Sequence, residues 1–169
     1  KQDCSLVVKQ NALVTSLIKP LSSKFKMTCI VRNPVDVLLS WMTVDLPVRR
    51  GSVPAGERFS PELRNNLANR TIQQRQLVIY QWFLNQFRLA GLSIVCYEDI
   101  LASGGKSLDI ALGLKPIERQ SLCPKVRQFN SETLKSLEAI LPEMSRLELY
   151  GLYNQSSIMD AYQRVSTAQ

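Results

Sequence analysis

Histidine is absent from the 169 residues, and its absence excludes several classes of active site. Without an imidazole, these residues cannot form a Ser-His-Asp site, a Cys-His site or a histidine-ligated metal centre. The four cysteines show no Cys-x-x-Cys spacing, so a zinc site would need all four to converge from widely separated positions. We therefore expect no metal centre.

Long apolar runs are also missing. No stretch approaches the roughly 18 apolar residues needed to cross a bilayer, and no basic-then-apolar signal pattern opens the sequence. Because the first residue is Lys1, we expect a mature form or a piece of a longer gene product. Cysteines that lie singly inside apolar runs are typical of a reducing compartment, and we predict a cytoplasmic protein with no membrane partner.

Acidic residues are outnumbered, 14 against 21 lysines and arginines, which gives a net charge of +7. Such an excess favours polyanionic partners such as nucleotides and sulfated or phosphorylated ligands, although it serves solubility equally well. The basic residues are scattered in small clusters and form no stripe along one helix, and no nucleic-acid-binding motif occurs. We therefore expect no nucleic-acid partner, and the sequence does not indicate an oligomeric state.

Three short apolar runs predict buried strands of a short parallel sheet, at residues 5–8, 27–31 and 92–97. Helical patterns separate these runs, as right-handed crossovers in a three-layer α/β sandwich require. One helix is predicted to begin at Pro34 with Asn33 as its N-cap, because both residue types are favoured at those positions.

The remaining segments complete a single predicted domain over residues 1–169. Residues 46–70 are rich in proline, glycine and arginine, and predict a long irregular insertion. A Thr71–Gln74 capping box opens the helix that follows. Residues 131–153 predict C-terminal helices, the second of them beginning with the stretch "PEMSRLELYG".

Arg32 directly follows the predicted strand 27–31, at the strand end where parallel sheets bind ligands. Asp36 and Ser40 lie on one stripe of the helix that begins at Pro34. An arginine fork and a hydroxyl beside a helix N-terminus suit a phosphate monoester. An Arg32–Asp36 ion pair beside a buried serine explains the same pattern equally well.

The stretch "VRNPVDVLLS" resembles the 3′-phosphate-binding motif of the sulfotransferases that use PAPS (3′-phosphoadenosine 5′-phosphosulfate). The family pattern is Arg-x-Pro-x-Asp-x-x-x-Ser, and the resemblance implies that Arg32 and Ser40 hold the 3′-phosphate. "VCYEDIL" resembles the family's Tyr-Glu-Asp-Leu segment, which implies that Tyr97 contacts the nucleotide. The implied fold is the P-loop NTPase-like sulfotransferase fold, with PAPS as cofactor and PAP (adenosine 3′,5′-bisphosphate) as product.

A looser match, "LVVKQN", resembles the Lys-Thr-His segment of cytosolic members, and implies that Lys9 steadies the sulfuryl group during catalysis. Asn11 stands where the family has its histidine base, and an amide cannot take a proton from an acceptor. Either another group supplies the base or the protein is impaired. The family's glycine-rich 5′-phosphosulfate loop does not occur, so we expect an N-terminally truncated member. Lys125 and Arg127 correspond loosely to its C-terminal basic loop, or are surface charge.

These observations together predict transfer of a sulfuryl group from PAPS to a hydroxyl or amine of a small-molecule or carbohydrate acceptor. The acceptor is expected under residues 46–70, where Arg49, Arg50 and Arg58 would meet an acidic or sugar-like substrate. The alternative is a catalytically impaired module that binds PAP, PAPS or another polyanion.

Overall fold

The computed structural model describes residues 11–119 and 128–167 of the chain. Within these ranges two strands, β1 (Thr28–Val31) and β2 (Ser93–Cys96), pair in parallel. Thr28 lies opposite Ser93 and Val31 opposite Cys96, so the two strands end side by side. The predicted strands at 27–31 and 92–97 are therefore confirmed, while the one at 5–8 lies outside the described residues.

The rest of the described chain is mostly helical, which gives an α/β structure in the general sense. The helices are α1 (Asn11–Ser16), α2 (Ile18–Ser22), α3 (Pro34–Thr43), a 3-10 turn (Pro47–Arg50), α4 (Pro54–Phe59), α5 (Pro61–Leu67), α6 (Ile72–Leu89), α7 (Tyr97–Ala102), α8 (Lys106–Leu112), α9 (Ser131–Met144) and α10 (Gln155–Thr167). No helix among these residues is both long and apolar enough to cross a membrane.

The main apolar core lies where α3, α6, α9 and α10 pack together beside the sheet. The completely buried side chains of this core include Leu38 of α3 and, on α9, Leu137 and Met144. Ile158 of α10 packs in the same cluster. The capping box predicted at the start of α6 is confirmed, since the side chains and backbone of Thr71 and Gln74 bond reciprocally. The core therefore fixes α3, which carries Asp36 and Ser40, and places α10 against it.

Residues 46–70 are mostly helical, so the prediction that this segment is irregular is wrong. The 3-10 turn, α4 and α5 each have a proline, Pro47, Pro54 or Pro61, at their start. Proline is favoured at a first helical position because its fixed φ suits the helix and its missing N–H would have no partner there. The residues that suggested an irregular loop are thus the ones that begin short helices.

This segment also buries a second apolar cluster against α6. The cluster consists of Val48, Val53, Leu63, Leu67, Ile79 and Trp82. The buried Gln76 side chain of α6 donates from Nε2 to the Val48 carbonyl oxygen at 3.0 Å. The segment is therefore part of the packed body of the protein.

The C-terminal region differs from its prediction in two respects. Helix α9 continues through Pro142 to Met144, so no separate helix begins at Pro142, and α10 was not predicted. An interior proline costs about 3 kcal/mol because it removes a hydrogen bond and crowds the preceding turn. Burial of Leu141 and Met144 on either side of Pro142 offsets that cost, at about 1.5–3 kcal/mol for each side chain.

Both cysteines of the described residues are free thiols. Cys29 is buried in β1, and burial raises the pKa of its thiol to about 11. Cys96 at the end of β2 is half-buried, and its pKa is raised chiefly by burial as well. Raised thiol pKa values keep both side chains neutral, as expected for packing residues rather than nucleophiles.

The buried carboxylate of Asp109 on α8 forms an ion pair with the exposed Arg119. Arg119 Nη2 donates to Asp109 Oδ1 at 2.7 Å, and its Nη1 contacts Oδ2. Hydrogen bonding to the guanidinium lowers the pKa of the Asp109 carboxyl below its ordinary value of 3.8. A lowered pKa in the folded state means that the carboxylate stabilises the fold above about pH 4 and that this stabilisation is lost on acidification.

We expect Asp109→Asn to lower the melting temperature at pH 7, because it leaves Arg119 beside a neutral amide. The difference from the unsubstituted protein should shrink at pH 3, because the stabilisation from a carboxyl whose pKa is lowered on folding is lost as the pH falls below its ordinary value of 3.8. Thermal unfolding at both pH values measures this. Asp45→Asn is the matched control, since Asp45 is exposed and makes no ion pair with a described residue. An equal loss at both pH values would contradict the prediction.

Candidate functional site

Arg32 and Tyr97 follow the carboxyl ends of the two neighbouring strands and contact each other. Arg32 comes directly after β1, and Tyr97 comes directly after β2. The Arg32 guanidinium carbon lies 5.0 Å from the centre of the Tyr97 ring, which is a cation–π distance. Because the strands are parallel and in register at Val31 and Cys96, this contact follows directly from the sheet. The structure thus brings together two of the residues predicted from the sequence.

Asp36 lies between Arg32 and a second arginine that the sequence did not suggest. Arg32 Nη2 is 3.4 Å from Asp36 Oδ1, and Arg164 Nη2 of α10 donates to Asp36 Oδ2 at 2.9 Å. The Asp36 side chain is only 12% exposed, whereas Arg32 is 39% and Arg164 61% exposed. Two cations therefore flank one partly buried carboxylate, and the three side chains carry a net charge of +1.

The Arg32 guanidinium keeps its hydrogen-bond donors free within the described part of the chain. Its contacts there are the ion pair with Asp36 and the ring of Tyr97, and neither is a hydrogen bond. Its Nε is shielded from solvent and has no partner among the described residues. A buried donor without a partner is unfavourable, and a bound ion or water is one of the ways in which such a group is satisfied. Arg32 is therefore suited to an anion that accepts several hydrogen bonds.

The backbone around Arg32 is held by a buried network of hydrogen bonds. The Tyr80 hydroxyl of α6 donates to the Arg32 carbonyl oxygen at 2.8 Å. The Asn33 backbone N–H donates to Glu98 Oε1 at 3.0 Å, and the Tyr153 hydroxyl donates to Glu98 Oε2 at 2.6 Å. Burial, with Glu98 nearby, raises the pKa of both tyrosines, so they remain neutral donors. Both oxygens of Glu98 are occupied, which makes it a positioning group.

The N-terminus of α3 is already capped by the protein itself. Asn33 is the N-cap as predicted, and its Oδ1 accepts from the Val35 backbone N–H at 3.0 Å. Its Nδ2 donates to the Ser157 carbonyl oxygen of α10, also at 3.0 Å, and Pro34 has no N–H to offer. A bound anion would therefore be recognised by side chains, with the helix dipole adding a favourable field.

Ser40 lies one turn beyond Asp36 on α3 and is half-buried. Its carbonyl oxygen accepts from the Thr43 hydroxyl at 3.0 Å. Its own hydroxyl forms no hydrogen bond to another described residue, so the structure does not join it to Arg32 by contact. Ser40 thus shares the helix with Asp36 and keeps a free hydroxyl there.

Lys9 lies outside the described residues, as do Lys125 and Arg127. Asn11, which stands at the place of the expected base, is the exposed first residue of α1. In residues 11–119 and 128–167 no group of three or more Cys, Asp and Glu side chains gathers as a metal site would. Lys9, the residue expected beside the sulfuryl group, is thus not among those that the structure positions.

An open groove of about 400 Å³ lies elsewhere, between α5, α6 and α9, and is lined by polar and apolar side chains in similar measure. Gln74 Nε2 donates to Glu143 Oε1 across it at 3.0 Å, and Gln81 Oε1 accepts from the Glu148 backbone N–H at 2.9 Å. None of the predicted site residues lines this groove. The cluster at the strand ends is therefore separate from it.

The arginine that the sequence did not reveal is Arg164. Its contact with Asp36 joins residues 128 positions apart, and α10 itself was not predicted. The chain matches no protein-family model, no curated protein and no solved structure in the comparisons made. The resemblance of "VRNPVDVLLS" and "VCYEDIL" to the sulfotransferase motifs therefore stays a prediction.

Proposed function

We propose that this chain is a sulfotransferase-family domain that, in the intact protein, transfers a sulfuryl group from PAPS to a hydroxyl or amine of a small-molecule or carbohydrate acceptor. The observation that carries the proposal is the contact between Arg32, whose donors form no hydrogen bond to a described residue, and the Tyr97 ring at the ends of two parallel strands. In the proposed fold these strands belong to the short sheet of a three-layer, P-loop NTPase-like sandwich.

The cluster fits the nucleotide end of PAPS better than its reactive end. Arg32 would donate to the 3′-phosphate, and a guanidinium fork pairs well with phosphate oxygens. The Ser40 hydroxyl would donate a further hydrogen bond to the phosphate. Tyr97 would contact the nucleotide while its ring holds the Arg32 guanidinium in place. When bound, PAPS supplies the sulfuryl group; Lys9 is proposed to balance the charge that develops during an in-line transfer.

A binding module without turnover is the second candidate function, and Asn11 favours it. An amide cannot serve as the general base, so a chain that relies on this position would bind PAP or PAPS without catalysing transfer. Both candidates are proposed for the cytoplasm, where free cysteines such as Cys29 and Cys96 stay reduced.

A nucleotide panel measured by thermal unfolding tests the proposed site. A ligand present at 100 times its dissociation constant adds about 2.7 kcal/mol, and for a domain of this size we expect PAP to raise the melting temperature by about 5–10 °C. ATP and 5′-AMP, which lack a 3′-phosphate, should act more weakly. If PAP leaves the melting temperature of the folded protein unchanged, the proposal is refuted. If duplex DNA raises the melting temperature and this effect falls steeply as the salt concentration rises, the protein is a nucleic-acid binder.

Release of PAP from PAPS in the presence of phenol and hexosamine acceptors separates the two candidate functions. Acceptor-dependent release supports the transferase. Selective binding of PAP without any release supports the module, in agreement with the amide at Asn11.

A further inference from the structure

We infer that Arg164 of α10 is a second phosphate-binding residue of the proposed nucleotide site and that Asp36 positions it there. The inference rests on the proposed function, since it concerns the same 3′-phosphate. Asp36 holds the two arginines on its two oxygens, Arg32 at 3.4 Å and Arg164 at 2.9 Å. A carboxylate and a phosphate present oxygen pairs of similar spacing. Guanidinium groups that flank the carboxylate can therefore also flank a phosphate after small side-chain rotations.

The exposure of Arg164 supports a binding role over a purely structural one. An ion pair with a 61% exposed arginine adds little to stability, because water screens the charges and the long side chain loses freedom. Apart from its contact with Asp36, the guanidinium forms no hydrogen bond to a described residue. Like Arg32, it keeps most of its donors for a ligand.

Helix α10 is fixed relative to the candidate site at two points, so Arg164 is held where the inference requires it. In the first turn, the Ser157 carbonyl oxygen accepts from Asn33 Nδ2 at 3.0 Å, next to Arg32 in the chain. Near the other end, Arg164 bonds to Asp36. Between them Ile158 and Ala161 are buried in the main core. These contacts make α10 one wall of the site.

The charge of the cluster suits a phosphate monoester. Two guanidinium groups so close together would repel each other, and the Asp36 carboxylate neutralises one of them. The remaining positive charge, the donors of both arginines and the N-terminal end of α3 all favour a dianion. Asp36 itself is a poor phosphate neighbour, which is why we assign it a positioning role and not a binding one.

The test compares Arg164→Gln with Arg146→Gln by calorimetric titration of PAP, 3′-AMP and 5′-AMP. Arg146 is an exposed arginine whose side chain forms no hydrogen bond, ion pair or ring contact with a described residue, so its substitution removes the same charge elsewhere. We expect Arg164→Gln to weaken PAP and 3′-AMP binding by about 10-fold and 5′-AMP binding by less than about 2-fold. Arg146→Gln should leave all three within about 2-fold.

Several outcomes would overturn the inference. Equal effects of the two substitutions would reduce the role of Arg164 to bulk charge, and equal losses for 3′-AMP and 5′-AMP would place Arg164 away from the 3′-phosphate. If Arg164→Gln lowers the melting temperature but leaves the PAP affinity unchanged, Arg164 serves only to hold α10 against the rest of the protein. If the unsubstituted protein binds no PAP at all, it is the proposed function that fails. If it binds PAP and Arg164→Gln binds equally well, only this inference fails.

The role of Asp36 is tested in a double-mutant cycle. In an Asp36→Asn background, the effect of Arg164→Gln on PAP affinity should fall from about 10-fold to below about 3-fold, because the arginine is no longer held in place. Independent effects of the two substitutions would contradict a positioning role for Asp36.

Discussion

Replacing Arg32 with alanine is expected to lower the affinity for PAP by about 100-fold, because it would remove at least two of the charge-assisted hydrogen bonds that we propose for the 3′-phosphate. The fold should survive, since the side chain is 39% exposed and forms no hydrogen bond to a described residue. Loss of the Tyr97 ring contact and the Asp36 ion pair should change the free energy of unfolding by about 1 kcal/mol or less. Calorimetric titration and urea unfolding measure the two quantities.

Two further substitutions make this result specific. Arg32→Lys keeps the charge but loses the planar fork, and its affinity for PAP should fall between those of the unsubstituted protein and Arg32→Ala. Tyr97→Phe keeps an aromatic ring beside Arg32, and its affinity should change much less. If Arg32 is only the partner of Asp36 in an ion pair, Arg32→Ala will alter stability and leave PAP affinity unchanged. The comparison therefore decides between the two interpretations that the sequence allowed.

The helix start beside the candidate site could be predicted because its determinants are local. Asn33 and Pro34 specify a helix start by capping and fixed φ, whatever the rest of the chain does. The neighbouring positions of Arg32 and Tyr97 follow once two buried apolar runs are recognised as parallel strands. The first step needs only neighbouring residues, whereas the second needs the pairing of strands that lie far apart in the chain, which the sequence alone did not specify.

Arg164 could not be predicted because its role depends on tertiary packing. The contact with Asp36 exists only after α10 has packed on α3. In the sequence alone, an exposed arginine on a polar helix has the pattern of an ordinary solvated residue. The Tyr153–Glu98–Asn33 network has the same character, since it joins three segments far apart in the chain. Such groups of residues become visible only in three dimensions.

The structure of residues 46–70 differs from its prediction for another physical reason. Helices as short as α4 and α5 contain too few turns for an apolar period of 3.6 to be recognised. Their prolines and the single glycine before them are typical of loops when local composition alone is considered. Here Gly51 has a φ of 66°, and a side chain at this position would come within 2.7 Å of Arg75 Cβ. The glycine thus permits close packing on α6.

Leu63→Ala tests whether this segment is part of the core, and we expect it to lower the free energy of unfolding by about 3 kcal/mol. Leu63 is 1% exposed and packs with Trp82 and Ile79 of α6, so truncation leaves a cavity. Phe59→Ala is the matched control: Phe59 lies in the same segment but is 48% exposed, and its loss should cost about 1 kcal/mol or less.

Urea unfolding of both variants measures the difference, and equal small losses would mean that residues 46–70 behave as a surface loop. The outcome also bears on the acceptor. If Leu63→Ala is as costly as expected, the exposed Arg49, Arg50 and Arg58 sit on a packed part of the protein. An acceptor recognised there would then meet preorganised cations, without the loss of conformational entropy that ordering a mobile loop requires.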